Sequence, residues 1–429
     1  MPMLNGELKT RYDFQTDTLY AIDWMQRMKL RTLAIVLMIL PGLVLAEARQ
    51  IDEYQWEGVA RIVAIGDIHG DYDNYMATLK AAGLVDKKGK WAAGDTHLVQ
   101  LGDLPDRGPD TLKIIGHIRD LTKQAKRKGG MVHSLIGNHE VMNVTGDLRY
   151  VHPGEFEAFA GRKSKTMRDR YYELYIQRYE QQDPEGFAQL PEDFRAQWEE
   201  EHPLGWLEHR QAWDPVWNRD AKYAQWVMGN KVAIRINDNL FLHGGISGFY
   251  CANSLASLTE QAVAHMKAYD PANPGLLEDP NGPLWYRGLS GGEPAATMET
   301  VDAILAHHDA KHIVVGHTPT FGVIWPTFDA KVIMADTGIS TYYGGNIGYL
   351  EITQEGSFGG YPAGKLPLPP LDAERIPYLE NVIQMDPDNK RLLKRLEEMK
   401  QPPLVAPAES IDDGEVQETQ LAVPICGTS

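Results

Sequence analysis

Val59-Ala60-Arg61-Ile62-Val63-Ala64-Ile65-Gly66-Asp67-Ile68-His69-Gly70 is an apolar run that halts at a carboxylate, an imidazole and two glycines. A short apolar run bounded in this way reads as a buried strand, Val59–Ile65, followed by a loop. The pattern returns twice. His97–Leu101 runs into Gly102-Asp103-Leu104-Pro105-Asp106-Arg107-Gly108, and Met131–Ile136 runs into Gly137-Asn138-His139-Glu140. Two more histidines arrive in the same way, His243 after Leu240–Leu242 and His317 after His312–Val315. Each box places carboxylate, amide or imidazole groups just past the carboxyl end of a strand, where open α/β sheets build their sites. Five such loops, rich in oxygen and nitrogen ligands and without a thiolate, point to a two-metal hydrolytic centre.

Between these boxes the chain alternates strand and helix. Helices are expected at Asp73–Ala82 and Asp110–Lys128, which makes the first part a βαβαβ run with parallel strands and right-handed crossovers. Lys231–Ile236, Asn237-Asp238-Asn239 and Leu240–Leu242 read as a hairpin. Helices at Ser257–Tyr269 and Thr300–His308, with strands at His312–Val315, Gly322–Trp325, Val332–Ala335 and Gly348–Ile352, are expected to complete a second sheet. Met142–Ala221 is long for a connection between core strands and reads as a mostly helical lid. Its Trp198, Trp206, Trp213 and Trp217, together with Trp226, suit core and lid packing better than a substrate slot. Its basic run, Arg162, Lys163 and Lys165, could steer an anionic substrate or simply form a solvated helix face.

The five boxes, GDIHG at 66–70, GDLPDRG at 102–108, GNHE at 137–140, HGG at 243–245 and GHT at 316–318, resemble the calcineurin-like metallophosphoesterase superfamily in its phosphoprotein-phosphatase branch. Within that branch, GDIHGD, GDLPDRG, Pro283-Leu284-Trp285-Tyr286-Arg287, GHTPT and Asp336-Thr337-Gly338 are similar to the Shewanella-like bacterial phosphatases. The resemblance covers a framework from about residue 58 to 352. It implies an α/β fold of two face-to-face mixed β-sheets flanked by helices, a metallophosphatase α/β/β/α sandwich with a helical insertion. It implies two divalent or trivalent metal ions, manganese first, with iron, zinc or cobalt also suited to the ligands. One metal would take Asp67, His69 and Asp103, and the other Asp103, Asn138, His243 and His317. A water ionised between them would be the nucleophile. His139 would protonate the leaving oxygen, Asp106 would orient His139, and Arg107, Arg287 and Asn138 would hold the phosphoryl group. Glu140 would support the loop rather than bind metal. Pro319 replaces the last ligand of the GHxH ending found in several phosphodiesterase branches, and Pro105 stiffens the loop between Asp103 and Asp106.

The implied activity is hydrolysis of phosphomonoesters on a phosphorylated protein, with phosphotyrosine ahead of phosphoserine and phosphothreonine, or on a small phosphoester. A nucleotide or dinucleoside polyphosphate hydrolase is the alternative enzyme, and a catalytically inactive phosphate-binding scaffold the alternative without catalysis. Other histidines read as structural or surface groups: His97, His133 and His312 in strands, His307-His308 at a helix end, and His202, His209 and His265 on the surface.

The chain has 429 residues and a formal net charge of −17. An acidic surface repels nucleic-acid phosphates, so no nucleic-acid partner is expected. Met28-Lys29-Leu30-Arg31, Thr32–Leu45 and Ala46-Glu47-Ala48 follow the order of a secretory signal, with a basic start, an apolar stretch and small residues at the cleavage site. At ~1.5 Å per residue, about 14–16 residues fall short of a ~30 Å hydrocarbon core. Met28 is therefore read as the initiator and 1-48 as an extension plus signal. Export to a bacterial periplasm is expected, without stable membrane insertion once the signal is cleaved. An uncleaved anchor is the alternative. Residues 49-360 are assigned to the metallophosphoesterase domain with its lid at about 142-221, and 361-429 to a Pro-rich, acidic, largely disordered tail, in which Pro362–Pro370 reads as a rigid spacer, Tyr378–Lys400 has helical spacing and 401–429 are expected to be disordered. Two cysteines, Cys251 and Cys426, suit a periplasmic protein without a disulfide framework, and their pairing is left open.

Overall fold

The computed structural model describes residues 48–401 and Cys426. The stretch ahead of Ala48, read as an extension plus signal, and residues 402–425 and 427–429 lie outside the described residues. In chain order the strands are β1 (Arg49–Gln50), β2 (Gln55–Glu57), β3 (Arg61–Ile65), β4 (His97–Gln100), β5 (Met131–Ser134), β6 (Ala233–Ile236), β7 (Asn239–Leu242), β8 (His312–Val315), β9 (Trp325–Thr327), β10 (Val332–Met334), β11 (Tyr349–Thr353), β12 (Gly356–Tyr361) and β13 (Gly364–Pro367). The helices are α1 (Tyr72–Ala81), α2 (Thr111–Lys126), α3 (Asn138–Thr145), α4 (Pro153–Phe159), α5 (Ser164–Gln182), α6 (Pro184–Ala188), α7 (Phe194–Glu201), α8 (Trp206–Trp213), α9 (Lys222–Met228), α10 (Leu255–Lys267), α11 (Met298–His307), α12 (Arg375–Met385) and α13 (Lys390–Lys400).

The strands form two mixed sheets, ordered β13-β12-β11-β3-β4-β5 and β1-β2-β6-β7-β8-β10-β9. In the first, β3, β4 and β5 are parallel, with Ile65 opposite Gln100 and Gln100 opposite Ser134. That register starts the three following loops at one edge. In the second sheet, β7, β8 and β10 are parallel, with Leu242 opposite Val315 and Val315 opposite Met334. The loops carrying His243, His317 and Asp336 therefore also share an edge.

Side chains alternate along these strands and so sort into layers. Ile62 and Ala64 of β3, Val99 of β4, Phe241 of β7, Val314 of β8 and Ile333 of β10 pack in one buried cluster between the sheets. Their neighbours Val63, Ile65, Leu98, Leu240 and Val315 face the other way and pack with helix residues such as Leu79, Ile114, Leu258 and Ile304. Fully burying one such side chain contributes about 1.5–3 kcal/mol. The two-sheet core with helices outside is the fold that the motifs implied.

Several expectations need correction. β11 does not complete the second sheet. It pairs antiparallel with β3, Ile352 opposite Ile62, where Leu350 and Ile352 enter the layer between the sheets. A period of two identifies a strand but not its partner. The strand expected at 322–325 begins only at Trp325, because Phe321 (φ 60°) and Gly322 (φ 114°) turn the chain out of the extended region first.

The region 361–401 is not a disordered tail. Gly364–Pro367 pairs with β12. Tyr378, Leu379 and Val382 of α12 and Leu392 of α13 are buried, and Tyr378 Oη bonds to Ile324 O at 3.0 Å. The helical spacing read at Tyr378–Lys400 is realised in α12 and α13, whose apolar faces dock on the core. Cys426 is paired with Cys251, with their Cα atoms 5.3 Å apart.

The insertion is helical. Trp198 packs against Tyr172 and stacks on His202, and Trp206 meets Tyr171 and Trp217, so these aromatics hold the insertion together. Lys165, Asp169, Arg195, Glu199 and Arg168 form a chain of ion pairs joining α5 to α7. That gives Lys165 of the basic run a structural partner. His209, read as a surface group, is fully buried, 3.6 Å from the Glu155 carboxylate and edge-on to Phe156 and Phe159.

Candidate metal centre

The five boxes meet where the two strand edges come together. Asp67, His69, Asp103, Asp106, Asn138, His139, His243 and His317 are all buried. The backbone gives way to bring them there. His69, Asp103, Asp106, Arg107 and His317 all have positive φ, between 48° and 73°. Such a conformation costs a non-glycine residue on the order of 1–3 kcal/mol and persists only where the surroundings enforce it. Gly137 is needed for a different reason: a Cβ there would lie 2.2 Å from Asp103 Oδ1.

Asp103 is the centre of the cluster. Its Oδ1 accepts from His139 N at 2.9 Å. Its Oδ2 lies 3.3 Å from His243 Nε2, 3.8 Å from His69 Nε2 and 3.9 Å from His139 Nε2. His69 Nδ1 faces Pro105 O at 3.1 Å, and His243 Nδ1 faces Leu101 O at 2.9 Å. Each carbonyl fixes the proton on Nδ1 and leaves a lone pair at Nε2. The His243 lone pair then points at Asn138 Oδ1 (2.9 Å), His317 Nδ1 (3.1 Å) and Asp103 Oδ2. Electron pairs converging on one point repel unless a cation lies among them.

The electrostatics carry the same message. Burial, reinforced by His139, holds His69 down to about 3. Burial, His243 and Arg287 hold His317 well below the ordinary imidazole range. Both rings are neutral ligands. Burial, then Asp336 and Asp103, raises Asp67 well above the carboxylate range. Burial is also the main cause that lifts Asp336 to about 6 and Glu140 to about 7. Burial would raise Asp103 too, but positive charge at His243 and His139 outweighs it and holds the group well below its usual value, and a cation held by a neutral His243 would act in the same direction. Crowded carboxylates beside neutral imidazoles fit divalent or trivalent cations.

Two groups could hold a metal ion, His69-Asp103-His139 and Asp103-His243-His317. Asp67 Oδ2 lies 3.8 Å from His69 Nε2 and competes with His139 for the first. His139 is engaged elsewhere. Its Nδ1 contacts Asp106 Oδ2 at 2.5 Å, and Asn143 Nδ2 donates to the other Asp106 oxygen at 2.9 Å. Burial lowers His139, but Asp103 and Asp106 more than reverse this and leave it raised. A protonated imidazole has no lone pair for a metal, so Asp67 is the better partner of His69 and Asp103.

Glu140 accepts from Asp103 N (2.9 Å), Leu104 N (2.7 Å) and Gly137 N (2.8 Å), tying two of the loops together as expected of a supporting residue. Arg287 Nη1 donates to His317 O and Thr318 Oγ1, both at 2.9 Å. Two features had no role assigned from the sequence, although Asp336 stands in the quoted Asp336-Thr337-Gly338 motif. Asp336, completely buried, abuts Asp67 and accepts from Gly338 N at 2.9 Å. Tyr150, Tyr342 and Tyr343 surround Arg107, their ring centres 4.5, 4.6 and 5.4 Å from its guanidinium carbon. The position of Asp336 after an apolar strand was a usable signal. The tyrosines come from two distant loops and had none.

The fold and this centre define a metal-dependent phosphoesterase, and the chain belongs to the calcineurin-like phosphoesterase family, whose model matches residues 60–321. It is a phosphoric ester hydrolase of the metallophosphatase type. Among relatives, it is 31% identical over 305 residues to an uncharacterized protein of Schizosaccharomyces pombe, covering 68% of this chain and 77% of that one. It is 29% identical over 312 residues to Shewanella-like protein phosphatase 2 of Arabidopsis thaliana, covering 68% and 74%. Among solved structures it resembles the cold-active protein-tyrosine phosphatase of a psychrophilic Shewanella species, with 30% identity, a TM-score of 0.54 and coverage of 73% and 81%.

Replacing Glu140 by Gln swaps an acceptor for an NH2 group facing backbone N–H groups. Leaving a buried donor unmatched costs about 1–3 kcal/mol, and loss of such outer support weakens metal affinity roughly 10–100-fold. Calorimetric manganese titration of the Glu140→Gln protein should show that weakening. Affinity equal to wild type would remove Glu140 as the organiser of these loops.

Proposed function

We propose that this chain is a dinuclear-metal protein phosphatase with a preference for phosphotyrosine. The observation that carries the reading is the placement of Asp103 between the His69 side and the His243–His317 side of one buried cluster. Asp67, His69 and Asp103 would hold one cation, and Asp103, Asn138, His243 and His317 the other. When bound, two cations supply an ionised water and offset charge on the phosphoryl oxygens. Manganese is the first candidate.

The chain's own residues do the rest. Arg107 and Arg287 present planar guanidinium forks to the phosphoryl oxygens, with the three tyrosines keeping Arg107 in place. Asn138 assists at the same edge. His139, raised by Asp103 and Asp106 and oriented by Asp106, holds its proton to higher pH than a free imidazole and delivers it from Nε2 to the leaving oxygen. That proton matters more for a seryl alkoxide than for a phenolate, because the alkoxide is the poorer leaving group.

A cavity of about 410 Å³ lies beside the centre, lined by Trp285, Arg287 and Arg149 and by the carboxylates of Asp147, Glu278 and Glu293. Trp285 stands edge-on to His317. An aromatic wall with both signs of charge suits a peptide around its phosphorylated residue. Asp147 is paired with Arg149, and Glu278 and Glu293 add negative charge that weighs against a polyphosphate chain in the dinucleoside polyphosphate alternative. The tyrosine-phosphatase relative supports the phosphotyrosine preference. The Cys251–Cys426 pair supports an exported, oxidising setting. No described helix is long and apolar enough to cross a membrane.

His139→Asn should lower kcat on a phosphoseryl peptide by a further factor of about 10 or more relative to its loss on para-nitrophenyl phosphate, within the 10²–10⁴-fold range of acid–base catalysis. Equal losses on both substrates contradict the acid role. Intact-mass analysis of the chain from the periplasm should place its first residue at Glu47 or Arg49. A mass retaining residues 28–46 would contradict cleavage.

A further inference from the structure

A second cavity, about 430 Å³, opens between α13 and the loop after His317. Arg391, Lys394 and Arg395 line it from the helix, and Ser290, Thr318 and Phe321 from the opposite side. In a chain of net charge −17, this is a local reversal of sign. Glu398 is the one carboxylate in the lining, and it is already paired with Lys394 at 3.5 Å.

The two arginines have no carboxylate within ion-pair distance among the described residues. Instead Arg391 rests 4.0 Å from the ring centre of Phe321, and Arg395 rests 4.0 Å from that of Trp325. Such contacts leave guanidinium N–H groups available. Arg395 reaches only Thr320 O, at 3.4 Å. Burial and the neighbouring Arg375 push its guanidinium down to about 10, a penalty that an anion beside it would relieve.

Of the three hydroxyls in the lining, Thr320 is engaged with backbone carbonyls and two are left to donate. Ser290 Oγ is buried without a hydrogen-bond partner. Thr318 Oγ1 accepts from Arg287, so its own proton remains free to donate. We infer that this cavity binds a phosphate-class anion, supplied either as free phosphate or as a second phosphoryl group on a substrate held at the metal centre. Two unpaired arginines, two hydroxyl donors and a carboxylate already paired with Lys394 match a tetrahedral oxyanion. The site adjoins the phosphoryl clamp, since Thr318 bonds Arg287 and Ser290 N donates to Arg287 O at 2.8 Å. An occupant is therefore placed to steady Arg287. The substrate-borne source rests on the phosphoprotein reading above, and the free-phosphate source does not.

The test uses the full-length, metal-loaded protein. Calorimetric titration with inorganic phosphate at fixed ionic strength should show two binding events in wild type. In Arg391→Gln/Lys394→Gln, whose side chains are exposed on α13, the second event should weaken at least tenfold, a loss of about 1.4 kcal/mol. The first event, and kcat and KM on para-nitrophenyl phosphate, should stay unchanged. A phosphotyrosyl peptide with and without a nearby phosphoserine separates the two sources. A lower KM for the doubly phosphorylated peptide in wild type only assigns the site to substrate. Equal KM values, with the calorimetric loss retained, assign it to free phosphate. A single phosphate event in wild type, or two undiminished events in the double variant, overturns the inference.

Discussion

The Asp103 carboxylate is the constraint on which the rest of the structure depends. It is buried, sits on a residue with φ 58° and lies within 3.9 Å of nitrogens from His69, His139 and His243. Burying an ionised carboxylate is costly unless charge or hydrogen bonds compensate it. The fold provides that compensation in layers. Backbone N–H of His139 reaches Oδ1, Glu140 fixes the loop from below, and carbonyls of Leu101 and Pro105 orient the rings. The parallel register of β3, β4 and β5 is what brings those loops to one edge.

Much of this was legible in the sequence because strand ends are easy to see. A buried strand that stops at Gly-Asp or Gly-Asn announces both its direction and the chemistry at its tip. Every proposed metal ligand sits in such a position, and the structure brings them together. What the sequence concealed depends on partners distant along the chain. The Arg107 cage needs Tyr150 from the start of the insertion and Tyr342-Tyr343 from beyond β10. β11 looked like any other amphipathic strand until β3 was its neighbour. His209 had no visible spacing partner, yet helix packing buries it against Glu155.

The end of the domain shows the limit of composition as a guide. Proline and acidic residues after Tyr361 suggested disorder, while Tyr378, Leu379, Val382 and Leu392 carried enough apolar surface to dock two helices on the core. Those helices bring Arg391 and Arg395 to the wall behind the GHT loop, so a segment read as a tail contributes charge near Arg287. The insertion is cemented by its own aromatics and ion pairs, and Tyr150 at its start reaches Arg107.

The most direct test of the proposed centre is the magnetic coupling of bound manganese. In a chain loaded with Mn(II), a shared carboxylate holds two ions about 3.5–4 Å apart. Electron paramagnetic resonance should then show a spin-coupled pair with two ions per chain, and Asp103→Asn should abolish the coupling. A single ion per chain, or two ions with uncoupled spectra, would contradict a centre built around Asp103.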